Sequence, residues 1–149
     1  MSWYDKDEVG RKLYDFQLAS LEKFKKQYNN PDFKYEIQTL EDSRLAILIN
    51  LPVKIKESED DICEQWNFLM VYENDYPQDK EFTPAIKMYP ISPITKPFHV
   101  LLDGSGNYYL SILTCSEERN SIPSPVSVLY ATIRWIVAYH MWEHTERQD

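Results

Sequence analysis

The 149 residues, 43% hydrophobic and 14% aromatic, suit a single domain over 1–149 with one apolar core, and exclude a disordered tract. A formal net charge of −8 without a basic stripe excludes a nucleic-acid surface and gives no attraction to anionic lipid. No apolar run approaches the roughly 20 residues of a membrane-spanning helix, so no membrane association is expected.

In chain order, Asp5 is placed to cap a helix, with Glu8 three residues on completing a capping-box-like pair. Val9, Leu13, Phe16, Leu21, Phe24 and Tyr28 recur at near-helical spacing, which predicts an amphipathic helix over about 5–28, ended by Asn29-Asn30-Pro31. Three alternating runs follow, on Phe33, Tyr35 and Ile37, on Leu45, Ile47, Ile49 and Leu51, and on Trp66, Phe68, Met70 and Tyr72. Period-two spacing of β-branched and aromatic residues is the signature of strands. The first two runs are separated by the short turn Glu41-Asp42-Ser43, and the next two by Lys54 to Glu64, which reads as a solvated acidic loop. Short connections favour an antiparallel meander, and Ile86 and Met88 after Pro84 add a short fourth strand.

From Pro90 to Pro125 prolines interrupt the pattern, and a long functional loop is expected there, with short extended pieces around Tyr108 to Leu113. Ser124 then caps a helix with Pro125 at its first position, running from Val126 to about Thr145. Leu129, Ile133, Trp135, Ile136 and Val137 make that helix apolar on nearly all sides, so burial is expected. The fold class is therefore α+β: an N-terminal helix, a four-stranded antiparallel meander, a long loop and a buried C-terminal helix.

Candidate chemistry concentrates in His99 to Cys115, HVLLDGSGNYYLSILTC. Gly104 and Gly106 beside Asp103 read as turn glycines; no Lys-Ser/Thr follows them, so they make no phosphate loop. Neither Cys63 nor Cys115 belongs to a CxxC pair, so a zinc or thioredoxin-type motif is not supported. Cys63, among Asp60, Asp61 and Glu64, reads as an ordinary loop thiol. The run His140-Met141-Trp142-Glu143-His144 matches the H-x-x-E-H pattern, but helical histidines beside tryptophan are usually packing or capping residues. No metal and no cofactor are expected. The charged opening MSWYDKDEVG lacks a signal peptide's apolar stretch, which leads to the expectation of a cytoplasmic, reducing setting with free thiols.

These residues in this order resemble the ubiquitin-conjugating enzyme (E2, or UBC) family over about residues 5–140. Tyr76-Pro77 followed by Pro84 looks like the E2 segment that turns strand three into strand four. The E2 active-site stretch reads His-Pro-Asn, then Gly-x-x-Cys-Leu-x-Ile-Leu. Laid on this chain without a gap, His99 falls on the histidine, Gly106 on the glycine, and Leu110, Ile112 and Leu113 on the apolar residues. Ser124-Pro125 resembles the Ser-Pro that opens the next E2 helix. Two departures stand out: Tyr109 occupies the cysteine position, and Leu101 replaces the asparagine whose amide supports the oxyanion. A thioester relay needs a thiolate and aimed donors, whereas a phenol of pKa about 10 is a poor substitute.

The resemblance therefore implies a non-catalytic E2 variant that binds a ubiquitin-like protein, an E1-like enzyme or a partner E2. A second reading is an active enzyme similar to the bacterial E2-like proteins of antiphage conjugation operons, whose Trp-rich last helix the run TIRWIVAYHMWEHT loosely resembles. Its thioester nucleophile would be Cys115, six residues beyond Tyr109, with His99 as a neighbouring base, and this requires a lowered thiol pKa and partial exposure. A third is a small acidic immunity or chaperone-like protein that neutralises a basic partner.

Overall fold

A computed structural model describes residues 2–57, 60–74, 76, 77, 84–112 and 124–145. The first element, α1, spans Glu8–Tyr28. Its cap is Asp7 and not Asp5: the Asp7 carboxylate accepts the Gly10 amide proton at 2.8 Å, and Asp5 lies before the helix. Asn29, with φ 51°, closes the other end in the left-handed region that asparagine tolerates. The buried face carries Gly10, Gln17, Leu21 and Phe24, whereas Val9 and Phe16 stand 68% and 56% exposed. The expected apolar face is thus turned. Gly10 lies on the buried face, where a Cβ would collide with the Trp3 carbonyl.

Four strands follow: β1 at Lys34–Thr39, β2 at Leu45–Glu57, β3 at Asp60–Tyr72 and β4 at Ile86–Ser92. They form one antiparallel sheet in the order β1-β2-β3-β4, the expected meander. Ile47 pairs Met70, Ile49 pairs Phe68 and Leu51 pairs Trp66, so one set of alternating side chains points inward together. With Tyr72, Ile86 and Met88 they make a core in which each is at most 3% exposed. The Tyr72 hydroxyl donates to Gln17 Oε1 at 2.8 Å, tying α1 to this face. Trp3 packs its ring 5.6 Å from that of Tyr72 and 4.5 Å from that of Tyr76, whose bond to Pro77 is cis.

The acidic stretch from Lys54 is not a loop. β2 and β3 continue as a two-stranded arm, paired from Pro52↔Gln65 to Glu57↔Asp60, beyond the reach of β1 and β4. Val53 and Ile55 extend the inward alternation and are buried, while Lys54, Lys56 and Asp61 point to solvent. Cys63 is consequently an exposed strand residue opposite Lys54. β4 also runs further than expected, through Pro90, and the register shift opposite Asn67 and Phe68 accommodates that proline at the sheet's last strand.

Two short strands, β5 at Val100–Leu102 and β6 at Tyr108–Leu110, form a separate hairpin inside the expected loop, and β6 lies against β4. The last element, α2, spans Pro125–Thr145, and Ser124 Oγ accepts the Ser127 amide proton at 3.2 Å as expected of the cap. Trp135 and Tyr139 of α2 meet the ring of Trp66 edge-on, both at 5.9 Å. Burial of α2 is not all round: Tyr130, Arg134, Ala138 and Met141 line an exposed stripe. Among the described residues, no helix is long and apolar enough to cross a membrane.

Candidate functional site

The site picked out by the sequence is the β5–β6 hairpin and the part of the sheet on which it rests. Asp103 organises its turn. Oδ1 accepts the amide protons of Ser105 at 2.8 Å and Asn107 at 2.9 Å, and the Asp103 amide donates to the Asn107 carbonyl at 2.9 Å. Gly106 sits at φ +85°, a conformation that explains the glycine as a turn residue. The Tyr89 hydroxyl, from β4, donates to Asp103 Oδ2 at 2.9 Å and fastens the hairpin to the sheet.

These donors, the Asn107 amide foremost, hold the Asp103 carboxyl below its usual range. Tyr89 is pushed up, first by burial and then by the bond to Asp103. A carboxyl depressed in the folded state contributes stability above its unfolded value, near 4, which is lost as pH falls through the lower folded value. We therefore expect the Ser105 and Asn107 amides to keep their hydrogen-exchange protection at pH 5–7 and to lose it on acidification below about pH 4. In Asp103→Asn the acid dependence of these two amides should vanish; a dependence unchanged by the substitution would refute this role for Asp103.

Tyr109 faces Leu101 across the hairpin and is 5% exposed. Its ring lies 5.9 Å from that of Tyr89, edge-on, and Lys87 Nζ sits 5.1 Å from its centroid, a cation–π contact. Lys87 in turn pairs Glu73 Oε1 at 3.4 Å, and Arg44 reaches the same oxygen at 3.0 Å and Asp42 at 2.8 Å. No local pattern in the sequence marks this chain of charges, because it joins residues of separate elements. Burial raises the Tyr109 phenol, and the charges of Asp103 and Glu73 raise it further. The side chain at this position is a packed, hard-to-ionise phenol, the opposite of an activated nucleophile.

His99 is exposed and adopts φ 46°, uncommon for a residue with a Cβ. Its carbonyl accepts the Ser111 amide proton at 2.8 Å, which closes the base of the hairpin, and its ring meets Phe98 edge-on at 4.6 Å. The structure brings Tyr109 into the hairpin's packed side and leaves the His99 ring at the surface near its base. Cys115, the third candidate, lies outside the described residues.

The H-x-x-E-H residues are spent on packing. His140 Nδ1 stands 3.4 Å from Glu64 Oε2, His144 Nδ1 lies 2.8 Å from the His140 carbonyl, and Glu143 accepts the Tyr139 hydroxyl proton at 2.9 Å. Among the described residues, no three His, Cys, Asp or Glu side chains converge to hold a metal ion. Compared with family models, with curated proteins and with solved structures, the chain matches none.

Proposed function

We propose that this chain is an E2-like, non-catalytic component of a ubiquitin-like conjugation system that works as a binding scaffold in the cytoplasm. The observation that carries the reading is Tyr109: a buried phenol, raised by its surroundings, at the position where the E2 pattern has its cysteine. The order helix, four-stranded antiparallel meander, helix agrees with the coarse order expected from the resemblance, with a short hairpin where a long loop is expected. The neighbouring groups fit a structural part better than a catalytic one. Leu101, at the position of the family asparagine, offers no donor to an oxyanion. The Asp103 oxygens are taken by turn amides and Tyr89, and the His99 main chain closes the hairpin. A scaffold needs only that the hairpin and sheet be held in place, and the hydrogen bonds of Asp103 do that.

The partners are then a ubiquitin-like protein, an E1-like enzyme or an active E2. Affinity purification of the tagged chain from its native host, with quantitative mass spectrometry, tests this. Recovery of one of those partners is the expected result. Recovery of a basic toxin or effector in their place would favour the acidic immunity reading and overturn this one.

A further inference from the structure

We infer that the chain forms a two-fold dimer by pairing the open edge of β1 antiparallel with β1 of a second copy, so that Lys34 of each copy stands opposite Glu36 of the other. This does not rest on the conjugation reading. The sheet has an edge at β4 and an edge at β1. At β4 the edge is interrupted by Pro90 and a register shift, and β6 lies against it. β1 has neither device. Its six residues pair β2 without a break and contain no proline, and among the described residues no strand lies on its other side.

The turn fixes which main-chain groups face outward. The Leu40 amide donates to the Arg44 carbonyl and the Ser43 amide to the Leu40 carbonyl, both at 2.9 Å, with Ser43 at φ 72°. Leu40 and Arg44 therefore face each other through their main chains. Alternation then turns Gln38, Glu36 and Lys34 towards β2, and leaves the N–H and C=O of Tyr35, Ile37 and Thr39 pointing away from the sheet. The core also stops short here. Ile47 and Ile49 of β2 are fully buried, whereas their neighbours on β1, Ile37 and Tyr35, are only partly covered. A further strand satisfies the main chain and extends the apolar layer at once.

Charge identifies that strand as β1 itself. The net charge of −8 is not carried at this edge: residues 22–39 hold four lysines against three acids. Lys34 and Glu36 are exposed, and across β2 they meet the neutral Asn50 and Leu48, which leaves both charges to a facing strand. A two-fold register centred on Glu36 sets the two Glu36 carboxylates face to face, and one centred on Ile37 carries Asp32 towards Asp42 of the second copy. Centred on Tyr35, the pairing sets each Lys34 opposite Glu36 of the other copy. The Tyr35 main chains then exchange both their bonds, and each Ile37 amide meets a Phe33 carbonyl of the other copy. On the inner face, Glu22 accepts the Tyr35 hydroxyl proton at 2.8 Å and Lys25 stands over its ring, so each copy also brings an acid and a base to the axis. Such a pairing is closed by its symmetry, so it joins two four-stranded sheets and stops there.

Analytical ultracentrifugation of the full chain tests the proposal. The wild type should be a weak dimer with a dissociation constant on the order of 100 µM, as suits a small interface. Lys34→Glu and Glu36→Lys, both at exposed side chains, should each weaken it about tenfold, because each sets like charges opposite each other at both ends of the pairing. The two variants mixed should form a heterodimer as tight as the wild type, and Lys34→Glu with Glu36→Lys in one chain should restore the homodimer; neither recovery is open to a misfolded variant. In a Cys63→Ser, Cys115→Ser background, Lys34→Cys with Glu36→Cys should cross-link two copies under mild oxidation, since facing residues of a non-hydrogen-bonded pair lie about 4.5 Å apart at Cα. Lys34→Cys with Gln38→Cys should not. A wild-type chain still monomeric at about 1 mM, no recovery in the mixture or in the double reversal, or cross-linking through position 38 in place of 36 would each overturn it.

Discussion

Trp66→Ala should lower the thermal unfolding midpoint by about 6–20 °C, from a loss of about 3–5 kcal/mol. Trp66 is 2% exposed, and its ring stacks on Phe68 at 5.9 Å with 9° between planes. It meets Trp135 and Tyr139 of α2 edge-on, and Nε1 donates to Glu64 at 3.1 Å. One truncation therefore opens a cavity between sheet and helix and frees the carboxylate facing His140. Phe16→Ala, at an exposed position of α1, should stay within about 0.5 kcal/mol of the wild type. Calorimetry on the two variants makes the comparison, and a Trp66→Ala shift as small as that of Phe16→Ala would refute the packing described.

Gly10→Ala should be nearly as damaging, against the ordinary preference of helices. In a helix interior, alanine is favoured over glycine by about 1 kcal/mol. Here a Cβ would stand 1.8 Å from the Trp3 carbonyl oxygen, a main-chain atom that cannot rotate away. Either α1 moves off the sheet or residues 2–7 are displaced and Trp3 leaves the Tyr72–Tyr76 cluster. Overpacking of this kind costs about 1–3 kcal/mol. Exposing a buried aromatic adds about 1.5–3 kcal/mol. Denaturation by urea with tryptophan fluorescence reads both effects. A Gly10→Ala protein more stable than the wild type would mean that this contact does not exist.

The buried face of α1 runs through Gly10, Gln17, Leu21 and Phe24, and only at Gly10 does the Trp3 main chain approach so closely. Spacing alone places Val9 and Phe16 inward, whereas they stand exposed one position off the face that meets the sheet. Strand alternation is legible because β2 to β4 bury one face in a shared core and β1 packs Tyr35 and Ile37 half-buried against it. The arm is not, since charged neighbours mask the two-residue alternation of Val53 and Ile55. In the candidate site, the turn at Asp103 was visible as Asp-Gly-Ser-Gly-Asn. Its fastening to Tyr89, 14 residues away, and the chain Arg44–Glu73–Lys87–Tyr109 are products of sheet register, which no local pattern encodes. The burial of Tyr109 and its raised phenol are likewise products of the packing of hairpin on sheet.

As the non-catalytic component proposed above, the chain should carry no transferable acyl group. Tagged wild-type chain and its Cys115→Ser variant, incubated with native-host lysate and ATP and resolved with and without dithiothreitol, test it most directly. A single band at the chain's own 17.8 kDa plus the tag is expected in every lane. A dithiothreitol-sensitive adduct on the wild type that is lost or turned into a stable ester in Cys115→Ser would contradict it, and would make the protein an active conjugating enzyme.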